Sequence, residues 1–402
     1  MLDLRHVTSI NDLTVDEIET VFALARKYLK DLRDPNVAHR IGRSIADAQG
    51  SILATLFYEP STRTRLSFES AMLRLGGKSI SSADPATSSA AKGESLADTV
   101  RVASNYADVL VIRHPRDGAA KLAASYANIP VVNGGDGAHE HPTQTLCDLF
   151  TLMQEGKKLK NLNMAISGDL RGSRTIHSFV YALARFGANI MLMPAKGMEL
   201  PAHVDWRLRN EFKAFNVPRA RYEKDNASVD ALYMTASKPH QLSLISDVDV
   251  KIRKNIDAMY VTRFQKERWT DKTQDYPTID QRFLKDRKFS KTSLLHPLPR
   301  VGELDISLDN DPRAAYFRQA AFGVPIRMAL IALLLDVDKK RHLEQFGDGF
   351  RGSDQAIYDQ PHDFGIRCAN ENCIVHDPME RQYTRNKFYL IEEPALRLRC
   401  YY

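Results

Sequence analysis

The sequence predicts an α/β protein with two doubly wound parallel-sheet domains joined by helices, followed by a small C-terminal extension. Short apolar segments that suit buried strands alternate with amphipathic helical segments, first before and then again after a helix expected at 141–154. This alternation is typical of βαβ units and therefore of parallel sheets. A length of 402 residues fits two to three domains, since one domain usually takes roughly 100–200 residues.

The expected elements of the first domain follow one another in a regular order. A helix is expected to begin after Thr14, because Thr14 can cap it and Glu17, three residues later, completes a capping box. The helix after the first strand is expected to end at Gly76 and Gly77. The elements expected before residue 155 are strands at 51–58, 107–112 and 129–133 and helices at 13–32, 61–75 and 141–154.

The second domain is expected to repeat this order, and an apolar helix at 314–335 is expected to return across both domains. Its expected elements are strands at 163–167, 188–193, 231–234 and 258–262 and a helix at about 174–186. The predicted boundaries are 1–155 for the first domain, completed by the helix 314–335, 156–313 for the second domain, 336–365 for a polar Gly- and Asp-rich linker, and 366–402 for a tail.

Composition and charge exclude several classes of protein. Hydrophobic residues make up 43% of the chain and charged residues 26%, so disorder is excluded as the main state. The net charge is +6, and the sequence contains no block of five like charges. This charge distribution suits small anionic ligands at least as well as nucleic acid. We expect no nucleic-acid partner. The longest apolar run, 328–335, is too short to span a membrane, and no signal peptide is visible. We therefore expect a cytoplasmic protein without a membrane partner.

The segment 59–65 (EPSTRTR) is a candidate anion site, because it follows a strand and opens a helix. A helix amino end offers unpaired backbone N–H groups and a positive dipole end. Ser61, Thr62 and Thr64 add hydroxyl donors, and the guanidinium of Arg63 matches phosphate oxygens. The simpler interpretation is that Ser61 only caps the helix and the arginines are solvated.

Four further segments follow in order: 113–115 (RHP), 141–144 (HPTQ), 263–268 (RFQKER) and 296–300 (HPLPR). Together with 59–65 they resemble the transcarbamoylase family over about residues 2–335. Within that family they resemble the aspartate branch. The ornithine branch would show a Ser-Met-Gly segment at 263–268 and a cysteine in place of Pro297.

The resemblance implies transfer of the carbamoyl group from carbamoyl phosphate to the amine of L-aspartate, an early step of de novo pyrimidine (UMP) biosynthesis. The products would be N-carbamoyl-L-aspartate and phosphate, and catalysis would need no cofactor. The domain 1–155 would bind carbamoyl phosphate, and the domain 156–313 would bind aspartate. The resemblance also implies a homotrimer or a multiple of it.

The resemblance also assigns residues to each part of the reaction. The catalytic residues would be Arg63, Thr64, Arg113 and His141. Carbamoyl phosphate would bind Ser61, Thr62, Arg63, Thr64, Arg113, His141, Gln144, Pro297 and Leu298, with Ser88 and Lys92 reaching in from a neighbouring subunit. Aspartate would bind Arg174, Arg263 and Gln265.

Two segments depart from the family pattern. The family commonly has Lys-Tyr where this chain has Arg171 and Gly172, and the segment 270–286 matches so loosely that no residue in it is assigned a role.

The cysteines are too few for a disulfide scaffold, at four in the whole chain. Cys147 lies between leucines and is expected in the core. Cys368 and Cys373 resemble the first half of the zinc module of the family's separate regulatory chain, with Cys400 as a third ligand and His376 as a candidate fourth. Structural zinc prefers four ligands, and the alternative is a vestigial tail that binds no metal.

Two other functions remain open on these residues: a transcarbamoylase for another amino acid, and an inactive scaffold homologue. Arg263 and Gln265 argue against the first, because an uncharged acceptor would not need them. Retention of the whole catalytic set argues against the second.

Overall fold

The computed structural model describes residues 6–35, 47–82, 89–211, 215–217, 232–238, 241–242, 255–266, 276–341, 356–362, 365–391 and 397–402. The chain forms two compact units. The first unit comprises Met1–Thr143 and Gly323–Tyr402, and the second unit comprises Gln144–Phe322.

The first unit is built on a four-stranded parallel sheet of order β2-β1-β3-β4. Its strands are β1 (Ile52–Phe57), β2 (Lys78–Ser82), β3 (Val109–His114) and β4 (Val131–Asp136). Among the described residues before 142, its α-helices are α1 (Val15–Arg33), α2 (Thr62–Arg74), α3 (Leu96–Ala103) and α4 (Ala119–Tyr126). The capping box predicted for α1 is confirmed: the Glu17 N–H donates to Thr14 Oγ1 over 3.2 Å, and the Thr14 N–H donates to the Glu17 carboxylate over 2.8 Å.

Burial separates the central strands of this sheet from its edge. β1, β3 and β4 are almost wholly buried, and their apolar side chains pack against α3 and α4 around Leu110, Val131 and Leu122. β2 is mostly exposed. The carboxyl ends of the three buried strands therefore form a rigid edge from which polar side chains can project.

The second unit contains a mixed sheet of order β11-β10-β5-β6-β8-β7, with β9 paired to β8. Four of its strands are parallel, and β8 and β7 extend them in antiparallel pairing. The strands are β5 (Asn163–Gly168), β6 (Asn189–Pro194), β7 (Phe215–Val217), β8 (Leu232–Lys238), β9 (Gln241–Leu242), β10 (Ala258–Val261) and β11 (Ser293–Leu295). Helices in the described part of this unit include α5 (Pro142–Gln154), α6 (Arg174–Arg185) and α7 (Ala202–Asn210). The predicted βαβ order thus holds through the centre of the sheet and gives way to antiparallel strands at one edge.

The last long helix, α8, spans Tyr316–Arg341. Its window Tyr316–Asp336 is long and apolar enough to cross a membrane, but 72% of that window is buried inside the protein. Burial of this kind is what the core helix of a folded domain shows.

The segment predicted as a linker, 336–365, is structured in part. α8 continues to Arg341, and Ile357–Gln360 forms strand β12, which pairs with β13 (Asn386–Ile391). β14 (Arg397–Cys400) pairs with the other edge of β13 to give a three-stranded antiparallel sheet. β12 is mostly exposed, so it lacks the apolar alternation by which a strand is recognised from sequence.

Candidate active site

The amino end of α2 lies directly after β1, as expected for an anion cradle. Ser61 has extended backbone angles at the capping position, but its side chain makes no capping hydrogen bond, and the first turn of α2 contains no acidic residue. The interpretation of Ser61 as a simple helix cap is therefore not supported. Thr62 and Arg63 are exposed, while Thr64 is buried. Hydroxyl and guanidinium groups thus surround a positive helix end whose first turn contains no carboxylate.

Arg113 ends β3 beside this helix end. Its backbone pairs in register with Phe57 of β1, and its guanidinium donates to Glu59 Oε1 over 2.9 Å and to the carbonyl oxygen of Gly134 over 3.0 Å. Thr64 borders the same point, because a Cβ atom built on Gly134 would lie 3.6 Å from Thr64 Cγ2. The structure therefore brings Thr64 and Arg113 together at the carboxyl edge of the sheet.

His141 stands immediately before α5 and is buried. Its Nδ1 lies 3.4 Å from the hydroxyl of Thr143. The loop before it is held by Asp136, whose Oδ2 accepts from the Gly118 N–H over 2.7 Å and lies 3.1 Å from His139 Nδ1. A buried carboxylate with several donors fixes such a loop firmly.

Gln144 belongs to a buried amide–carboxylate chain in the second unit. Its Nε2 donates to Asp148 Oδ1 over 2.7 Å, and Gln319 Nε2 donates to the same oxygen over 2.6 Å. Gln319 Oε1 in turn accepts from the His296 N–H over 2.9 Å. Gln144 and the segment beginning at His296 are therefore joined through two side chains that sequence reasoning did not select.

The segment 296–300 has a fixed backbone. The Leu298 N–H donates to His296 Nδ1 over 2.8 Å, so the His296 proton resides on Nε2 and is donated to Glu303 Oε1 over 2.7 Å. Leu298 itself has φ of 54°, in the left-handed region that a side chain rarely adopts, and precedes a cis peptide bond to Pro299. Non-glycine residues held at such a positive φ cluster at ligand sites.

Arg174 and Arg263 follow adjacent parallel strands of the second sheet. β5 and β10 pair with Val261 opposite Ser167, Arg174 is buried at the first position of α6, and Arg263 lies two residues beyond β10. Asp169 joins the two segments, since Oδ1 accepts from the Gly172 N–H over 2.7 Å and Oδ2 from the Gln265 N–H over 3.3 Å. Two arginines at neighbouring strand ends can grip the two carboxylates of one ligand.

Comparison with known families decides what this arrangement represents. The model described as "Aspartate/ornithine carbamoyltransferase, carbamoyl-P binding domain" matches residues 5–155, and the one described as "Aspartate/ornithine carbamoyltransferase, Asp/Orn binding domain" matches residues 160–334. The chain belongs to the aspartate/ornithine carbamoyltransferase family.

Individual proteins that are similar to this chain are aspartate carbamoyltransferases. The aspartate carbamoyltransferase catalytic subunit of Clostridium kluyveri is 41% identical over 343 residues, which cover 84% of this chain and 100% of that protein. The catalytic subunit of Methanocaldococcus jannaschii aspartate transcarbamoylase superposes with a TM-score of 0.65 at 37% identity, covering 84% of this chain and 99% of that one. Aspartate transcarbamoylase from Trypanosoma cruzi in complex with carbamoyl phosphate and aspartate gives a TM-score of 0.64 at 32% identity, covering 82% and 94%.

Tyr276 is a residue of this carbamoyltransferase that the sequence did not single out. Its hydroxyl accepts from the Asp169 N–H over 2.6 Å and donates to the Thr262 carbonyl over 2.6 Å, and its ring stacks on Phe264 at 5.6 Å. Burial raises the pKa of Tyr276 above its usual value, so the hydroxyl keeps its proton. Tyr276 lies in the loosely matching segment 270–286, where no family motif marks it.

The departure from the family pattern at Gly172 has a steric basis. A Cβ atom at Gly172 would lie 2.8 Å from Asp169 Oδ2 and 3.3 Å from Gln265 Cβ. The close approach of Asp169 and Gln265 therefore suits glycine at this position, and a tyrosine would require Asp169 to move.

Of the two residues expected to reach the site of a neighbouring subunit, only Lys92 is described. Lys92 ends a short 3-10 helix, Ser89–Lys92, and is exposed. Ser88 lies outside the described residues.

Three cysteines of the tail come together. The sulfur atoms of Cys368, Cys373 and Cys400 all lie within 4.8 Å of one another, and the last two are 3.8 Å apart. Four sulfurs bound tetrahedrally to zinc at about 2.3 Å would be separated by roughly 3.8 Å, so the spacing fits a metal. His376 is not in this group within the described part of the chain, and its Nε2 lies 2.8 Å from the Cys368 carbonyl oxygen.

Proposed function

We propose that this chain transfers the carbamoyl group from carbamoyl phosphate to L-aspartate, giving N-carbamoyl-L-aspartate and phosphate, an early step of pyrimidine biosynthesis. Two observations carry the proposal: a helix end at Ser61–Thr64 in one unit, whose first turn contains no acidic residue, and two arginines that follow adjacent strands in the other unit. Relatives that are named aspartate carbamoyltransferase catalytic subunits, and that this chain covers over 99–100% of their length, support it.

The phosphate is held by the amino end of α2. Ser61, Thr62, Arg63 and Thr64 supply hydroxyl, guanidinium and backbone donors for its oxygens. Because charge on the phosphate increases as the bond to carbon breaks, donors fixed in advance favour its departure.

The carbonyl oxygen of the substrate is polarised by Thr64, Arg113 and His141. Arg113 is held by Glu59 and by the carbonyl of Gly134, so little reorganisation accompanies the reaction. Removal of one such donor typically costs about 10²–10³ in turnover.

The carbamoyl NH₂ group requires acceptors. Donation from Gln144 Nε2 to Asp148 assigns the amide oxygen of Gln144 to the ligand, and the carbonyls of Pro297 and Leu298 are further acceptors held by the His296–Glu303 pair. Three fixed acceptors orient the planar group for attack.

Aspartate is bound through its two carboxylates by Arg174, Arg263 and Gln265. The unprotonated amine attacks the carbamoyl carbon, a C–N bond forms, and the C–O bond to phosphate breaks. The surplus proton on the new C–N nitrogen passes to the departing phosphate, so no dedicated base is needed.

The activity is tested by measuring product formed from carbamoyl phosphate with aspartate or ornithine. We expect product with aspartate only, loss of at least about 10²-fold in kcat/KM for Arg63→Ala, and a selective rise in the KM for aspartate for Arg263→Ala. Product from ornithine alone would instead indicate the other branch, and no product from either acceptor would indicate an inactive scaffold.

The proposed assembly is a homotrimer, in which Ser88 and Lys92 complete the site of a neighbour. Exposed apolar side chains support it: Leu66 and Leu73 of α2 are 52% and 56% exposed, and Ile80 of the edge strand β2 is 43% exposed. Light scattering should give three times the chain mass. Trimers mixed from Lys92→Ala and Arg63→Ala chains should regain activity, because some sites then contain neither substitution; a monomeric mass would contradict the proposal.

The proposed metal is one structural zinc ion held by Cys368, Cys373 and Cys400, which would fix the fold of the tail and take no part in carbamoyl transfer. The spacing of the three sulfur atoms, which all lie within 4.8 Å of one another, supports the proposal because thiolates bound to one zinc ion lie at such separations. Metal analysis should find about one zinc per chain, lost in Cys373→Ser. A content well below one per chain would favour a tail that binds no metal.

A further inference from the structure

The tail, residues 366–402, pairs through its backbone with the loop that follows β3. The Asp117 N–H donates to the Asn372 carbonyl over 3.2 Å, and the Ile374 N–H donates to the Asp117 carbonyl over 2.9 Å. These two bonds form an isolated parallel bridge between Asp117 and Cys373. Asp117 lies four residues after Arg113.

The carboxylate of Asp117 is shared between the tail and the loop that precedes His141. Oδ2 accepts from Asn370 Nδ2 over 2.7 Å, while Oδ1 accepts from Asn372 Nδ2 over 3.0 Å and from the Ala138 N–H over 2.8 Å. One side chain therefore links three segments: 114–118, 136–140 and 370–374.

Packing at Gly137 shows how closely these segments approach. The Gly137 N–H donates to the His114 carbonyl over 2.9 Å, and Gly137 has φ of +46°. A Cβ atom there would overlap Asp117 Oδ1 and lie 2.8 Å from Asn372 Nδ2. Only glycine fits between these two side chains.

We propose that Asp117, held from outside by Asn370 and Asn372, is a positioning residue that fixes the backbone segments carrying Arg113 and His141. This inference rests on the proposed function. Arg113 and His141 act as donors only if their backbone is placed to within a fraction of an ångström. The loops 114–118 and 136–140 provide that placement. Asp117 and Asp136 both join these loops to each other, and Asp117 also joins them to the tail.

The segment 368–373 contributes to the same positioning of Asp117. Asn370 and Asn372 lie between Cys368 and Cys373, so a metal bound to those cysteines would hold both amides facing Asp117. The tail thereby acts on the active site without contributing a group to it.

Separate contacts keep the tail docked when a single amide is removed. The Glu380 carboxylate accepts from the Leu96 N–H, and Tyr383 Oη donates to Asp98 Oδ2 over 2.6 Å. The Tyr126 hydroxyl donates to the Tyr383 carbonyl over 2.8 Å. Substitution of Asn372 therefore tests positioning and leaves docking in place.

The test compares Asp117→Ala, Asp117→Asn and Asn372→Ala in the full chain, with Glu371→Ala as a control, because Glu371 is exposed in the same turn. We expect the KM for carbamoyl phosphate to rise about tenfold for Asp117→Ala and Asn372→Ala. Asp117→Asn retains one acceptor oxygen and should recover part of the loss. Amide hydrogen exchange in 114–118 and 136–140 should accelerate most in Asp117→Ala and Asn372→Ala and less in Asp117→Asn. In Glu371→Ala, both the KM and the exchange rates should stay at wild-type values.

Unchanged KM and unchanged exchange in Asp117→Ala would overturn the inference. A wild-type chain without transfer activity would contradict the proposed function instead, and exchange in the two loops would still decide whether Asp117 fixes them. Removal of metal by a chelator should accelerate exchange in 114–118 and 136–140; if exchange changes only within 366–376, the tail does not act on these loops.

Discussion

The amide nitrogen of Gln144 donates to the buried carboxylate of Asp148 over 2.7 Å. Because a carboxylate accepts and cannot donate, it fixes which end of the Gln144 amide faces a ligand. In the proposed function, Asp148 thus directs the amide oxygen of Gln144 to the carbamoyl NH₂ group. The same carboxylate oxygen accepts from Gln319, whose own oxygen holds the backbone of His296.

Asp148→Asn should therefore weaken binding of carbamoyl phosphate. An amide at this position can donate as well as accept, so Gln144 loses its fixed orientation while side-chain volume is retained. Loss of a hydrogen bond to a charged group costs roughly 1.5–3 kcal/mol, which corresponds to a rise of at least about tenfold in KM. Steady-state kinetics with carbamoyl phosphate varied would measure it.

The matched control is Glu155→Gln, which follows the same helix and pairs with the exposed Arg318. Its KM should stay within about twofold of wild type, since surface ion pairs contribute little. Equal effects of the two substitutions would show that Asp148 does not orient Gln144.

Arg113→Lys should reduce kcat/KM by about 10²–10³ without unfolding the chain. Lysine keeps the charge, but it cannot donate at once to Glu59, to the Gly134 carbonyl and to a substrate oxygen. Arg74→Lys on α2, whose Nε contacts only a serine hydroxyl among its described bonds, is the control. Activity retained within tenfold in Arg113→Lys would exclude Arg113 as an essential donor.

Tyr276→Phe should raise the KM for aspartate about tenfold and leave the KM for carbamoyl phosphate unchanged. The substitution leaves the Asp169 N–H and the Thr262 carbonyl without their partner, and one unsatisfied buried group costs roughly 1–3 kcal/mol. Those two groups lie on the strand ends that position Arg174 and Arg263. Tyr106→Phe serves as the control, because Tyr106 is 62% exposed; a similar rise in both KM values for Tyr276→Phe would indicate general destabilisation.

The first unit should lose stability at alkaline pH through His139. Burial lowers the pKa of His139, but attraction by the carboxylates of Asp136 and Glu140 outweighs it and raises the pKa to about 9. The charged imidazole therefore stabilises the folded state fully below its unfolded pKa of about 6.5, and this contribution disappears as pH rises through 9. The side chain is 35% exposed, so screening reduces the loss to about 1 kcal/mol.

Thermal unfolding of wild type and His139→Asn at pH 7 and pH 10 would measure this loss. Lysine and tyrosine side chains titrate equally in both proteins, so the difference between them isolates His139. We expect the melting temperature of wild type to fall by a few degrees more than that of His139→Asn. An equal fall in melting temperature in the two proteins would contradict the assignment of this loss of stability to His139.

Most of the fold could be predicted because it depends on local pattern. The buried strands β1 and β5 and the capping box of Thr14 and Glu17 follow from apolar runs and from spacing along the chain. β12 could not be predicted, because its stability comes from pairing with β13, about thirty residues away, and not from apolar alternation.

The candidate site likewise contains residues that could be predicted from sequence and residues that could not. Residues at strand ends and helix starts, such as Arg63 and Arg113, carry a local signal that a family motif reinforces. Asp148 and Gln319 are 171 positions apart, and Asp117 contacts Asn372 across 255 positions. A polar pair of such separation leaves no periodic trace in a single sequence, so these positioning residues emerge only from the folded chain.

The most direct test of the central claim is calorimetric binding of an analogue that joins a phosphonate to aspartate. A cradle at α2 and a dicarboxylate grip at Arg174 and Arg263 together predict binding at least about 10²-fold tighter than phosphonoacetate or succinate alone, with the gain lost in both Arg63→Ala and Arg263→Ala. Binding no tighter than phosphonoacetate in the wild-type protein would contradict the account.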